Sequence, residues 1–181
     1  MKTLANWSIW PAVVVFGMLA GCSQTVKTPD VAGNIRTGLD QAGLKNVSVT
    51  QDRDKGVVTL GGHVSGDNDK AQAEALAKSF AGGEVVADQI AVLPVGNESD
   101  ARTMNTDLDR GIEQNLDAAL IQGKLRDGVQ YAVKNSVVTL SGQVDSQSKR
   151  RDVAKVAGSV PNVQQVVNEL QVKNQKASSS N

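Results

Sequence analysis

The sequence is short of almost everything that surface chemistry needs. Among its 181 residues there is one cysteine, Cys22, and one histidine, His63. One cysteine excludes an intramolecular disulfide, and one residue of each kind cannot build a Cys/His metal cluster. Aromatic residues make up only 3%, so the cores rest on aliphatic side chains and extensive base-stacking platforms are excluded. Lys and Arg total 19 and Asp and Glu total 19, for a net charge of zero. Nucleic-acid-binding domains usually carry a clear positive excess, so nucleic acid is not an expected partner. No glycine-rich phosphate loop is present. Asp67-Asn68-Asp69 hints at a calcium loop but lacks the glycine and closing glutamate of an EF-hand; helix capping is the better reading. Catalysis of the Ser/His/Asp kind could use only His63, and no nucleophile motif stands near it in sequence. His63 reads as a surface strand residue. No catalytic residue, metal or cofactor is expected, and the chain does not read as an enzyme.

What is present is a repeat. Val57-Val58-Thr59-Leu60-Gly61-Gly62-His63-Val64 returns 80 positions later as Val137-Val138-Thr139-Leu140-Ser141-Gly142-Gln143-Val144. The chain is therefore two copies of one small module. Each copy opens with an amphipathic helix, marked by Val31, Ile35 and Leu39, then by Leu108, Ile112, Leu116 and Leu120. Thr106 or Asp107 is placed to cap the second of these. A strand follows, with Val47 and Val49 in copy one and Val129, Tyr131 and Val133 in copy two. Turns at Asp54-Lys55-Gly56 and Lys134-Asn135-Ser136 lead into the repeated strand. There Val58, Leu60, Gly62 and Val64 share a face, and Gly62 and Gly142 read as room for a packed helix. A second helix carries Ala73, Leu76, Ala77 and Phe80, matched by Val153, Val156, Ala157 and Val160. A last strand holds Val86, Ile90 and Val92, matched by Val166, Leu170 and Val172. Asp88 and Asn168 interrupt it at the same place, where a short polar side chain bonds local backbone.

The expected fold class is α+β: two tandem α-β-β-α-β modules, each a small mixed three-stranded sheet packed against two helices. The expected divisions are 1–21 signal peptide, 22–29 tether, 30–93 first domain, 94–105 linker, 106–173 second domain and 174–181 disordered tail. Pro94 to Asn105 shows no apolar period and reads as unstructured, with a coil span of roughly 20 Å. Modules this small have thin cores, and the sequence leaves the docking of the two copies open.

The N-terminus reads as a processing segment. Lys2 precedes a run from Leu4 to Leu19 that contains no charge and ends in small residues, as a cleaved signal peptide does. Leu19-Ala20-Gly21-Cys22 resembles the bacterial lipobox, which implies cleavage before Cys22 and a diacylglycerol on its sulfur. A multiply acylated cysteine anchors stably, at roughly 0.8 kcal/mol per buried CH2. Ser23, not Asp, follows the cysteine, which favours delivery to the outer membrane, facing the periplasm. Seven tether residues from Ser23 to Pro29 reach at most about 25 Å, so the first module must sit close to the bilayer.

The repeated blocks resemble the BON domain, named for bacterial osmotically inducible and nodulation proteins. Gly56 to Val64 and Gly82 to Val92 carry the resemblance in copy one; Ser136 to Val144 and Val163 to Val172 carry it in copy two. Together the copies cover nearly all of Asp30 to Lys173. The pattern departs from the family where Pro161-Asn162 replaces a glycine before the last strand, which leaves the shape of that turn open. The resemblance implies an envelope protein, some members being lipid-anchored, that binds phospholipid surfaces, supports envelope integrity or acts in osmotic stress. It implies no enzyme activity.

The copies differ most at the start of the second helix. Copy one reads Asp67-Asn68-Asp69-Lys70; copy two reads Gln147-Ser148-Lys149-Arg150-Arg151, with Lys155 one turn on. Acidic residues are favoured at a helix N-terminus and basic ones disfavoured, by roughly 0.3–1 kcal/mol each. Lys149, Arg150, Arg151 and Lys155, beside a free helix N-terminus, are the candidate contacts for an anion, with phospholipid headgroups the first choice. The competing reading is a solvated face compensated by Asp145 and Asp152. Expected partners are thus the membrane and, in an alternative reading as a chaperone-like interaction module of the stress response, envelope proteins.

Overall fold

In each copy the valine-rich repeat becomes the central strand of a sheet. The computed structural model describes residues 27–173; the signal peptide, Cys22 and the C-terminal tail lie outside the described residues. The first module runs α1 (Ala32–Gln41), β1 (Val47–Asp52), β2 (Val57–Val64), α2 (Asp67–Phe80), β3 (Val85–Asp88) and β4 (Ala91–Val92). The second runs α3 (Glu98–Gln122), β5 (Val129–Lys134), β6 (Val137–Val144), α4 (Gln147–Gly158), β7 (Gln165–Asn168) and β8 (Gln171–Val172). β1 pairs antiparallel with β2, and β3 and β4 pair parallel with it. β5, β7 and β8 stand in the same relation to β6. The α+β class and the duplicated mixed sheet are as expected, but the last strand of each copy is broken in two. The break falls where Asp88 Oδ1 accepts from the Ile90 N–H at 3.1 Å and Asn168 Oδ1 from the Leu170 N–H at 3.2 Å.

The helices of each module cover one face of its sheet. Val58, Leu60 and Val64 pack with Ile35, Leu39, Ala73, Ala77 and Ile90 in the first core. Val138, Leu140 and Val144 pack with Ile112, Leu116, Leu120, Val153, Ala157 and Leu170 in the second. Each buried valine, leucine or isoleucine contributes about 1.5–3 kcal/mol. Gly38 of α1 lies under the Phe80 ring, with only 3.2 Å between an added Cβ and the ring. That close passage lets a bulky Phe80 sit where the second copy has Val160.

Three expectations need correction. Gly62 and Gly142 do not make room for a helix. They have φ of +85° and +106°, and an added Cβ would lie 2.0 Å from Asn46 O and 2.4 Å from Gly128 O. The neighbour that forbids a side chain is the backbone leading into the adjacent strand, whose carbonyl accepts the next N–H from His63 or Gln143. Second, the stretch before Thr106 is not unstructured, because α3 begins at Glu98. Glu98 and Asp100 favour the positive helix end, and Ala101, Arg102 and Met104 are good helix formers. Extending a helix already nucleated by packed residues is cheap, so no buried face is required. The eight residues Glu98 to Asn105 then span about 12 Å as helix. Third, neither Thr106 nor Asp107 caps; Thr106 lies inside α3 and donates its hydroxyl to Arg102 O at 2.9 Å. The turn before the last strand survives Pro161-Asn162, because Asn162 adopts φ +67° where Gly82 has φ +60°, and asparagine tolerates that region better than most residues.

The sheet faces turned away from the helices meet each other. Val57 and Ala87 of module one pack against Val137 and Val167 of module two, residues related by the same offset of 80. Lys55 Nζ reaches Glu169 at 2.6 Å, and reciprocally Asn135 Nδ2 donates to Gln89 O at 2.7 Å. The Gln165 side chain donates to Val86 O at 2.7 Å and accepts from the Asp88 N–H at 3.0 Å. One amide thereby satisfies the outer edge of β3 as a neighbouring strand would.

Candidate functional site

The basic residues at the start of α4 have separate fates. The helix N-terminus is not free: the Ser146 hydroxyl accepts from the Lys149 N–H at 3.1 Å. Lys149 Nζ donates to Asp127 O at 2.9 Å. Arg150 turns inward, with Nε on Leu170 O at 2.8 Å and a terminal nitrogen on Asn168 O at 3.0 Å. Its guanidinium pins the broken last strand to α4, so its place among the headgroup contacts is corrected to a fold-holding one. Arg151 and Lys155 are exposed, four residues apart on one helical face.

The charges of this cluster find no carboxylate among the described residues. None of the four cations forms an ion pair there. Asp145, one of the two expected compensators, pairs instead with Lys173 at 3.3 Å. Asp152 Oδ2 accepts from the Ser148 hydroxyl at 3.3 Å. The counterpart in module one differs. Gly66 is the N-cap of α2 and no side chain caps it, so the expected capping by Asp67-Asn68-Asp69 is absent; Asp67 and Asp69 lie in the first turn instead. There the residue matching Arg150 is Lys70, and the residue matching Asn168 is Asp88. Asp88 is 8% exposed; burial raises its pKa above the ordinary 3.8, against the Ile90 N–H and the nearby Lys70 charge, which lower it. Lysine facing aspartate in one copy has become arginine facing asparagine in the other. The second module therefore has a neutral amide where the first sets a carboxylate near its cation, a difference visible only when residues 18 positions apart meet in space.

His63 does not lie on an open surface. It is half-buried and lines a cleft together with Arg102, Asn105, Thr106 and Asp109 of α3 and Lys134 and Asn135 of module two. Sequence reading missed this because the α3 extension was taken for coil. No group of three or more His, Cys, Asp or Glu side chains among the described residues could hold a metal ion. No helix among them is long and apolar enough to cross a membrane.

No curated protein matches the chain at a significant level. Among solved structures, the C-terminal domain of CdsD, a structural protein of the type III secretion system of Chlamydia trachomatis, is similar at 14% identity and a TM-score of 0.33, covering 81% of this chain and 99% of that one. A second CdsD structure gives 13% identity and the same TM-score, covering 78% of this chain and 61% of that one. The model of the BON domain matches twice, over residues 28–94 and 108–174. Those two matches span well over half of the sequence, and the chain belongs to the BON domain family.

Proposed function

We propose that this chain is a lipid-anchored protein of the cell envelope, attached through Cys22, whose second module rests on phospholipid surfaces and supports envelope integrity under osmotic stress. BON domains occur in envelope proteins, are associated with membrane binding and are not catalytic. The observation that supports the reading for this chain is the cation cluster on α4, which no carboxylate of the described residues pairs. Lys149, Arg151 and Lys155 are the contact residues; Arg150 holds them in place through the last strand. Basic groups near an anionic surface contribute about 1 kcal/mol each, so three orient an already tethered domain.

The test is sedimentation of the Ser23–Asn181 fragment with phosphatidylglycerol vesicles. Replacing Lys149, Arg151 and Lys155 with Glu is expected to weaken partitioning by roughly a hundredfold or more. Unchanged partitioning would refute the membrane reading. A protein that ignores vesicles but suppresses aggregation of a client belongs to the chaperone-like alternative. Lipidation is checked separately by mass spectrometry: the mature chain carries a diacylglycerol, and Cys22→Ala lacks it.

A further inference from the structure

The α3 extension, Glu98 to Gly111, has no counterpart in module one and lies with its polar side inward. Arg102, Asn105, Thr106 and Asp109 are spaced i, i+3, i+4 and i+7, so they share one helical face. That face lines the cleft against Gly62, His63 and Ala91 of module one and Lys134 and Asn135 of module two. The apolar residues of the same stretch point elsewhere: Met104 is 71% exposed and Leu108 38%. A helix laid against a folded body ordinarily turns its apolar stripe to it. Here the stripe is reversed, and the face borders a half-open cleft of about 440 Å3, a volume in the range of small-ligand sites.

The cleft sets two cations, Arg102 and Lys134, against one carboxylate. Asp109, its one carboxylate, accepts the Asn135 and Ser136 N–H groups, both at 2.8 Å. Arg102 and Lys134 form no ion pair among the described residues. His63 adds a ring nitrogen donor. The divergence between copies falls at the same place, since the residue matching His63 is Gln143, which the extension does not cover and which borders a different cleft. We propose that this cleft binds a small phosphate-bearing anion, with Arg102 and Lys134 as charge partners and His63 as a hydrogen-bond donor. Arginine supplies a planar fork suited to phosphate oxygens and lysine a point charge. The site draws on both modules and the helix between them, and it is independent of the α4 surface.

The test uses the one histidine as its probe. The full chain in neutral detergent is titrated with inorganic pyrophosphate while the His63 Cε1–H signal is followed by NMR. A saturable shift is expected, and Arg102→Glu or Lys134→Glu should weaken it about tenfold or more, whereas Lys155→Glu should not. Both cleft variants alter exposed side chains, and Arg102→Gln and Lys134→Gln repeat the test without charge reversal. A second arm replaces pyrophosphate with phosphatidylglycerol in the micelle. A shift with pyrophosphate alone assigns a soluble ligand; a shift with both assigns a site that also admits a lipid headgroup. No saturable shift with pyrophosphate, a shift with lipid alone, or an equal shift in the Arg102 and Lys134 variants would overturn the proposal.

Discussion

The two modules share a sheet and a core but solve the same local problem with different charges. Where the last strand breaks, module one sets buried Asp88 near Lys70, and module two sets Asn168 against Arg150. The backbone geometry survives in both, because either side chain can accept the N–H two residues on. What changes is the electrical balance: the first copy has a carboxylate near its cation and the second a neutral amide. Duplication thus preserved the break and released one residue pair to vary around it.

The comparison can be broken hardest at the glycines. Gly62→Ala and Gly142→Ala are each expected to lower stability by about 3 kcal/mol or more, because a Cβ meets backbone oxygen at positive φ. Gly61→Ser, which copies Ser141, is expected to change stability by under about 1 kcal/mol, since its Cβ meets only the Ser48 hydroxyl, at 2.9 Å. Urea denaturation of the three variants checks the contrast. Arg150→Met comes next. It strips two carbonyls of a donor and is expected to cost about 1–3 kcal/mol, whereas Lys70→Met, with no bond among the described residues to lose, is expected to cost about 0.5 kcal/mol or less. Equal losses would show that the copies do not differ there.

Gln165→Val gives module two the residue that module one has at Val85. It leaves Val86 O and the Asp88 N–H without their partner, at a cost of about 1–2 kcal/mol, and calorimetry is expected to show a less concerted transition. The smallest effect belongs to Asp88→Asn, which copies Asn168. Because burial raises the folded pKa of Asp88 above 3.8, the folded state holds its proton more tightly than the unfolded chain. Stability from this group is present below pH 3.8 and declines as pH rises through the folded value. The Asn variant is therefore expected to melt slightly higher at neutral pH and to show a flatter dependence of Tm on pH above 3.8. A steeper dependence would reverse the assignment.

The fold was legible because it is written in periodicity, and twice. Val58, Leu60 and Val64 declared a sheet face, and Ala73, Ala77, Val153 and Ala157 declared helix faces that are indeed buried. The start of α3 escaped because apolar period detects only helices that bury an apolar stripe, and this one presents a polar face inward. Gly62 and Gly142 were found by position but given the wrong neighbour, since parity cannot see a positive φ. At the candidate site, residue types indicated charge, but only geometry separates Arg150, which is committed to carbonyls, from exposed Arg151 beside it. His63 looked ordinary because the polar residues around it come from positions 39 to 72 away.

The Gln165 amide has a consequence for the history of the chain. An open strand edge invites pairing with any other extended segment, and β3 is kept from that fate by a side chain the other copy supplies. A gene trimmed back to its first half would uncover that edge and restore the hazard.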